Sequence, residues 1–137
     1  MATSQLDALL DAVGWQGPER VDVVERRHLT DYRRAIGAED PADDEVPPTL
    51  CACFLSEPPP MPAAEAYGLG WINGGDRFEY VGPRLALGDV VRSRTRFTGV
   101  SEKHGRSGSL AILTFETQFV RHDGVPVVRH VGTRIRR

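Results

Sequence analysis

Apolar residues recur at helical spacing near the start of the chain and alternate with polar ones through its second half. Leu6, Leu9, Leu10 and Val13 share one helical face, and Gly14 ends the run, which predicts a helix. Residues from Val21 to Arg26 alternate and read as a short strand. A second helix is predicted from His28 to Ile36, where Leu29, Tyr32, Arg33 and Ile36 lie on one face and Gly37 closes it. The stretch from Ala38 to Pro48 is acidic and contains Asp40-Pro41 and Pro47-Pro48, so it reads as a loop. Thr49 to Leu55 is a short apolar run that fits a buried helix or a strand, and periodicity alone does not choose. Pro58 to Pro62 reads as a stiff, extended connector.

From Trp71 onward the pattern is strand after strand. Arg77 to Val81 alternates until Gly82-Pro83 stops it. Asp89 to Val100 alternates arginines with small or apolar residues, and Lys103 to Gly108 is glycine-rich, predicting a turn. Leu110 to Val120 is a long apolar strand, His122-Asp123-Gly124 carries a hairpin signal, and Val125 to Ile135 closes the sequence. A helical first part followed by hairpin-linked strands gives an α+β class. Such a sheet ends in an edge that needs cover or a partner.

Composition narrows the function classes. The 137 residues suit one domain, 1–137, with an ordinary balance of 40% apolar and 26% charged residues. A net charge of −2 disfavours nucleic acid as a partner, because phosphate binding wants a basic face. No apolar run approaches the ~20 residues of a membrane span, and the first residues lack the charged and apolar regions of a signal peptide. Cys51 and Cys53 are too close in sequence to pair readily, and an intracellular, cytoplasmic setting is expected. No Cys/His spacing predicts a metal site.

Several segments carry a resemblance when taken together. These are Arg33-Arg-Ala-Ile-Gly37, Val46-Pro-Pro-Thr-Leu50, Ile72-Asn-Gly-Gly-Asp-Arg-Phe-Glu-Tyr80, Leu85-Ala-Leu-Gly-Asp-Val90 and Ser101-Glu-Lys-His-Gly-Arg-Ser-Gly108. In this order they resemble the N-terminal MaoC-like dehydratase family, also called the FAS1-like dehydratase domain, from about Leu6 to the end. The resemblance implies a single hot-dog domain, an antiparallel sheet wrapped around a central helix, forming half of a double hot-dog. The central helix would fall at Thr49 to Leu55. Catalytic members of this superfamily carry Gly-Asp-x-Asn-Pro-(Leu/Ile)-His after a short helix. Here the matching segment is Gly37-Ala38-Glu39-Asp40-Pro41-Ala42-Asp43, with alanine at the aspartate position and aspartate at the histidine position. Hydration of an enoyl thioester needs a base for water and an acid for the α-carbon. Ala38 supplies neither, and no imidazole stands at position 43.

The expectation is therefore a subunit without the dyad. A second hot-dog subunit would supply aspartate and histidine for an (R)-specific enoyl thioester hydratase, or 3-hydroxyacyl thioester dehydratase. With the chain ending at Arg137 after its last strand, that half is expected on another polypeptide. The thioester, of coenzyme A or an acyl carrier protein, would be substrate, with no separate cofactor. The alternative is a non-catalytic homodimer that binds acyl thioesters. A more distant one is a hot-dog thioesterase, for which Glu57 is the only carboxylate near the central helix.

Acyl-binding candidates are Thr49, Cys51, Cys53 and Phe54 on the central helix and Asn73, Gly74 and Gly75 before a strand. A β-bulge is the bland alternative for the glycines. The cysteines read as buried small hydrophobes rather than nucleophiles. Arg84, Lys103 and Arg106, taken as loop residues, are candidates for coenzyme A phosphates. Arg92, Arg94 and Arg96 alternate along one strand and are read first as a solvated face. His28, His104, His122 and His130 belong to no recognisable dyad, with His130 set toward a partner. Asp40 and Asp43 are read as helix-terminating loop residues.

Overall fold

A computed structural model describes residues 4–38 and 44–137. The segment 39–43, which holds Asp40 and Asp43, lies outside the described residues.

Helix α1 spans Gln5–Asp11, its first turn capped by the Ser4 hydroxyl, which accepts from the Asp7 amide at 3.0 Å. Strand β1 is Arg20–Val23, and α2 is Arg26–Ile36. Gly37 ends α2 in the left-handed region, at φ 72°, where a side chain would be strained. The run left open by periodicity is a 3-10 helix, Pro48–Phe54, which buries Leu50, Cys51 and Phe54. The expected extended connector is instead bent at Pro58 and tightly turned at Met61, whose amide donates to the Pro59 carbonyl at 2.8 Å, and Pro62 opens the short helix α3, Pro62–Glu65. Four strands follow: β2 Trp71–Tyr80, β3 Val90–Gly105, β4 Gly108–Arg121 and β5 Pro126–Arg136.

These pair in one antiparallel sheet, in the order β1-β3-β4-β5-β2. β2 begins earlier than the alternation from Arg77 suggests, and β3 runs through Lys103 to Gly105, so Lys103 is a strand residue and not a turn residue. The turn is only Arg106-Ser107. Strict alternation on β4 buries Ala111, Leu113, Phe115, Thr117 and Phe119, and the intervening residues face away. The buried face packs against the 3-10 helix and the α-helices.

The core is divided in two. One apolar cluster gathers α2, the 3-10 helix and the Val91, Phe119 and Val127 end of the sheet. The other gathers α1, α3 and the Phe97, Phe115 and Leu113 end. Between them the inner face carries polar side chains in cross-strand register: Thr95 on β3, Thr117 on β4 and His130 on β5. Thr95 and Thr117 join their hydroxyls at 2.7 Å. Further along β5 the inner positions are Gly132, Arg134 and Arg136.

Candidate functional site

The polar row leads to a charged cluster under the edge strand β2. Gly132 on β5 stands directly opposite Asp76 on β2. A Cβ built on Gly132 would lie 2.8 Å from the His130 ring and 3.1 Å from the Arg134 guanidinium. The missing side chain lets both neighbours converge on Asp76. His130 Nε2 lies 2.7 Å from Asp76 Oδ1, and Arg134 donates to the same oxygen at 2.7 Å. Arg134 also bonds both oxygens of Glu57, which arrives from the segment after the 3-10 helix. Its remaining donors reach Asn73 Oδ1 at 3.1 Å and the carbonyls of Gly75 and Thr133 at 3.0 Å.

Arg134 and His130 are buried, at 6% and 2% exposure, whereas the carboxylates of Asp76 and Glu57 remain open on one side. Partial burial works to raise the Asp76 carboxyl. Hydrogen bonds from Arg134, Asn73 and His130 overcome it and hold Asp76 at about 2. An ionised Asp76 only accepts, so His130 Nε2 carries a proton and donates to it. Nδ1 of His130 is buried and has no hydrogen-bond partner among the described residues.

Cavities border the 3-10 helix at both ends of β2. A groove of about 540 Å³ runs between it and β2, with Leu55, Trp71 and Phe78 as apolar walls and Glu57, Asn73, Asp76 and Arg134 as a polar floor. Near the other end of β2 lies an apolar cavity of about 230 Å³, lined by Val46, Leu50, Cys51, Tyr80 and Val127, with Arg84 beside them. The outer edge of β2, unpaired among the described residues, borders the groove.

The sequence-predicted residues divide among these places. Asn73 lines the groove, and Cys51 lines the apolar cavity. Phe54 is buried in the core with its ring edge-on to His28 at 5.2 Å, and Thr49 meets the Tyr32 hydroxyl. Cys53 is exposed. Burial pushes the Cys51 thiol up to about 12 and raises that of Cys53, so neither is a ready thiolate. Asn-Gly-Gly forms a β-bulge: the register shifts between Asn73 and Gly75, and the Asn73 side chain accepts from the Gly75 amide at 2.8 Å. A Cβ on Gly74 would meet Thr133 at 2.9 Å, so glycine allows the close approach there.

Arg84, Lys103 and Arg106 do not converge on one phosphate site. Arg84 precedes β3 and pairs with Glu45, while Lys103 and Arg106 lie at its far end. Arg92 and Arg94 are exposed on the outer face beside Glu19, and Arg96 is exposed with them. His104 and His122 are exposed, and His28 accepts from the Glu25 amide at 3.0 Å. His130 corrects the expectation, since it faces inward and pairs with Asp76. Glu57, the thioesterase candidate, is committed to Arg134. Asp76, His130 and Arg134 were missed as a group. The one signal was the spacing of His130, Gly132, Arg134 and Arg136 at alternate positions, which reads more simply as a wet face.

Comparison with known proteins sets this geometry in a family. The description "FAS1-like, dehydratase domain region" matches residues 11–130. The chain belongs to this FAS1-like dehydratase family. No curated protein matches it in sequence. Among solved structures, a chain of the ChsH1-ChsH2 complex from Mycobacterium tuberculosis superposes with a TM-score of 0.75 at 15% identity, covering 96% of this chain and 90% of that one. A chain of the HadBC (3R-hydroxyacyl-ACP dehydratase) complex from the same organism gives 0.69 at 18% identity, covering 91% and 97%. The MaoC-like dehydratase from Rhodospirillum rubrum gives 0.63 at 20% identity, covering 92% and 94%. The FAS1-like dehydratase chain thus has the hot-dog fold, and its structural neighbours include hydratases and dehydratases and, among them, complexes of two different chains. Among its described residues no helix is long and apolar enough to cross a membrane, and no group of three or more His, Cys, Asp or Glu side chains is arranged to hold a metal ion.

Proposed function

We propose that this chain is the subunit without the dyad in a heteromeric (R)-specific enoyl thioester hydratase, equally a 3-hydroxyacyl thioester dehydratase. The observation that carries the reading is the sequence after α2, where this chain has Ala38 and Asp43 at the positions that aspartate and histidine hold in the catalytic members of the superfamily it resembles. A second hot-dog subunit, docked along the open edge of β2, supplies the base that activates water and the acid that protonates the α-carbon. It also supplies the donor to the enolate-like oxygen. The present chain contributes one wall of the acyl site, the groove between the 3-10 helix and β2. The acyl group arrives on coenzyme A or a carrier protein, in the cytoplasm.

Two comparisons support a second subunit: the neighbours ChsH1-ChsH2 and HadBC are themselves complexes of two different chains. The test is co-expression with a hot-dog protein encoded beside this chain, followed by mass measurement and an enoyl-CoA hydration assay over several acyl lengths. The pair hydrates the thioester and the chain alone does not. Hydration by a proven homodimer of this chain overturns the proposal. A homodimer that binds acyl-CoA without turnover supports instead the acyl-binding reading, since the β2 edge is open to a second copy as well.

A further inference from the structure

The floor of the groove is chemically one-sided. Glu57 and Asp76 bring two negative charges, and Arg134 brings one positive charge. Each of the five guanidinium N–H groups of Arg134 already faces an acceptor on Glu57, Asp76, Asn73, Gly75 or Thr133. Arg134 therefore has no donor left for an anionic ligand. Asp76, held at about 2, is ionised at any working pH. The carboxylates, on the groove's floor and partly exposed, keep open acceptor sites toward it. The walls, in contrast, are Leu55, Trp71 and Phe78.

A plain alkyl chain laid along these walls would strip water from two ionised carboxylates and return no hydrogen bond, which costs free energy. A chain ending in a carboxylate would meet surplus negative charge. A chain carrying a hydroxyl fits both parts: its methylenes lie on the walls and its O–H donates to Glu57 or Asp76. We infer that the groove selects acyl thioesters that carry a hydroxyl further along the chain than the double bond being hydrated. This rests on the proposed function, because it takes the groove as the acyl site.

The test titrates the chain, purified with its hot-dog partner, with saturated acyl-CoA thioesters that cannot react. At each of several chain lengths the terminal carbon is varied between methyl, hydroxyl and carboxylate, and affinity is read by calorimetry. At the length that reaches the cluster, the hydroxyl thioester binds roughly tenfold tighter than the methyl one, as expected for a hydrogen bond to a charged group. The carboxylate thioester binds most weakly. The exposed, non-core substitution Glu57→Gln frees donors on Arg134 and removes one charge. In that variant the hydroxyl advantage shrinks and the carboxylate thioester gains affinity, an exchange of preference that loss of folding would not produce. Binding with no hydroxyl preference at any length overturns this inference and leaves the hydratase reading intact. A hydroxyl preference here, together with no hydration of the matching trans-2-enoyl thioesters by the same pair, upholds the inference and overturns the hydratase reading. No binding of any thioester overturns both.

Discussion

Strand β5 carries the same ionic arrangement twice, once on each face. On the inner face Arg134 is gripped by Glu57 and Asp76, and on the outer face Arg129 is gripped by Glu116 and Glu79. The geometry is alike: Arg129 bonds Glu116 with two nitrogens, at 2.8 and 3.0 Å, and Glu79 with the third at 2.9 Å. The surroundings are not. The Arg134 side chain is 7% exposed and that of Arg129 is 34% exposed. An exposed pair gains little, because water and salt screen it. A buried one is costly to break, because removing one partner leaves uncompensated charge. Two like constellations on one strand should therefore respond very differently to the same substitution.

The largest effect is expected from Arg134→Ala, which leaves Glu57 and Asp76 facing each other. It should cost about 3 kcal/mol or more, and scanning calorimetry should show a midpoint lowered by roughly 10 °C. Next comes Gly132→Ala, whose new methyl group would sit within 2.8 Å of His130 and push the three side chains apart. Its cost is about 1–3 kcal/mol by overpacking, and a chemical denaturation curve measures it. If Gly132→Ala is silent, the convergence on Asp76 is not what requires a glycine there.

A third effect appears only in acid. The Asp76 carboxyl is depressed from 3.8 to about 2 in the folded chain. Its contribution is thus complete above about pH 4 and is lost as the pH falls toward 2. Asp76→Asn should flatten that part of the stability profile while leaving the rest of the acid transition in place. The smallest effect is expected from Arg129→Ala, whose thermal midpoint should stay near that of the parent. A drop as large as that for Arg134→Ala would erase the distinction between the faces.

The same contrast explains which features the sequence discloses. Helical periodicity with Gly14 and Gly37 as stops announces α1 and α2, and alternation announces β3, β4 and β5. Periodicity fails at Thr49 to Leu55 because a 3-10 helix follows neither period, and α3 is too short to leave one. On the C-terminal half of β5 the usual rule is inverted. Val131 and Ile135 are half-exposed while His130, Arg134 and Arg136 are buried. That inversion is sustained by partners far away in sequence: Glu57 and Asp76 for the first two, and the Ala64 and Glu65 carbonyls, at 2.8 and 3.0 Å, for Arg136. Local pattern cannot announce a charge whose counter-charge arrives from another element. The Asn-Gly-Gly bulge was legible as an alternative, because glycine pairs inside a strand have few other uses.

The spiral beneath the sheet has a geometric corollary. Wound as a 3-10 helix, Pro48–Phe54 advances about 2.0 Å per residue, against about 1.5 Å in an α-helix. Seven residues thus reach about 14 Å instead of about 10 Å and form a slimmer rod. A thin spindle beneath a broad sheet leaves slack between the two, and the hollows along β2 are that slack.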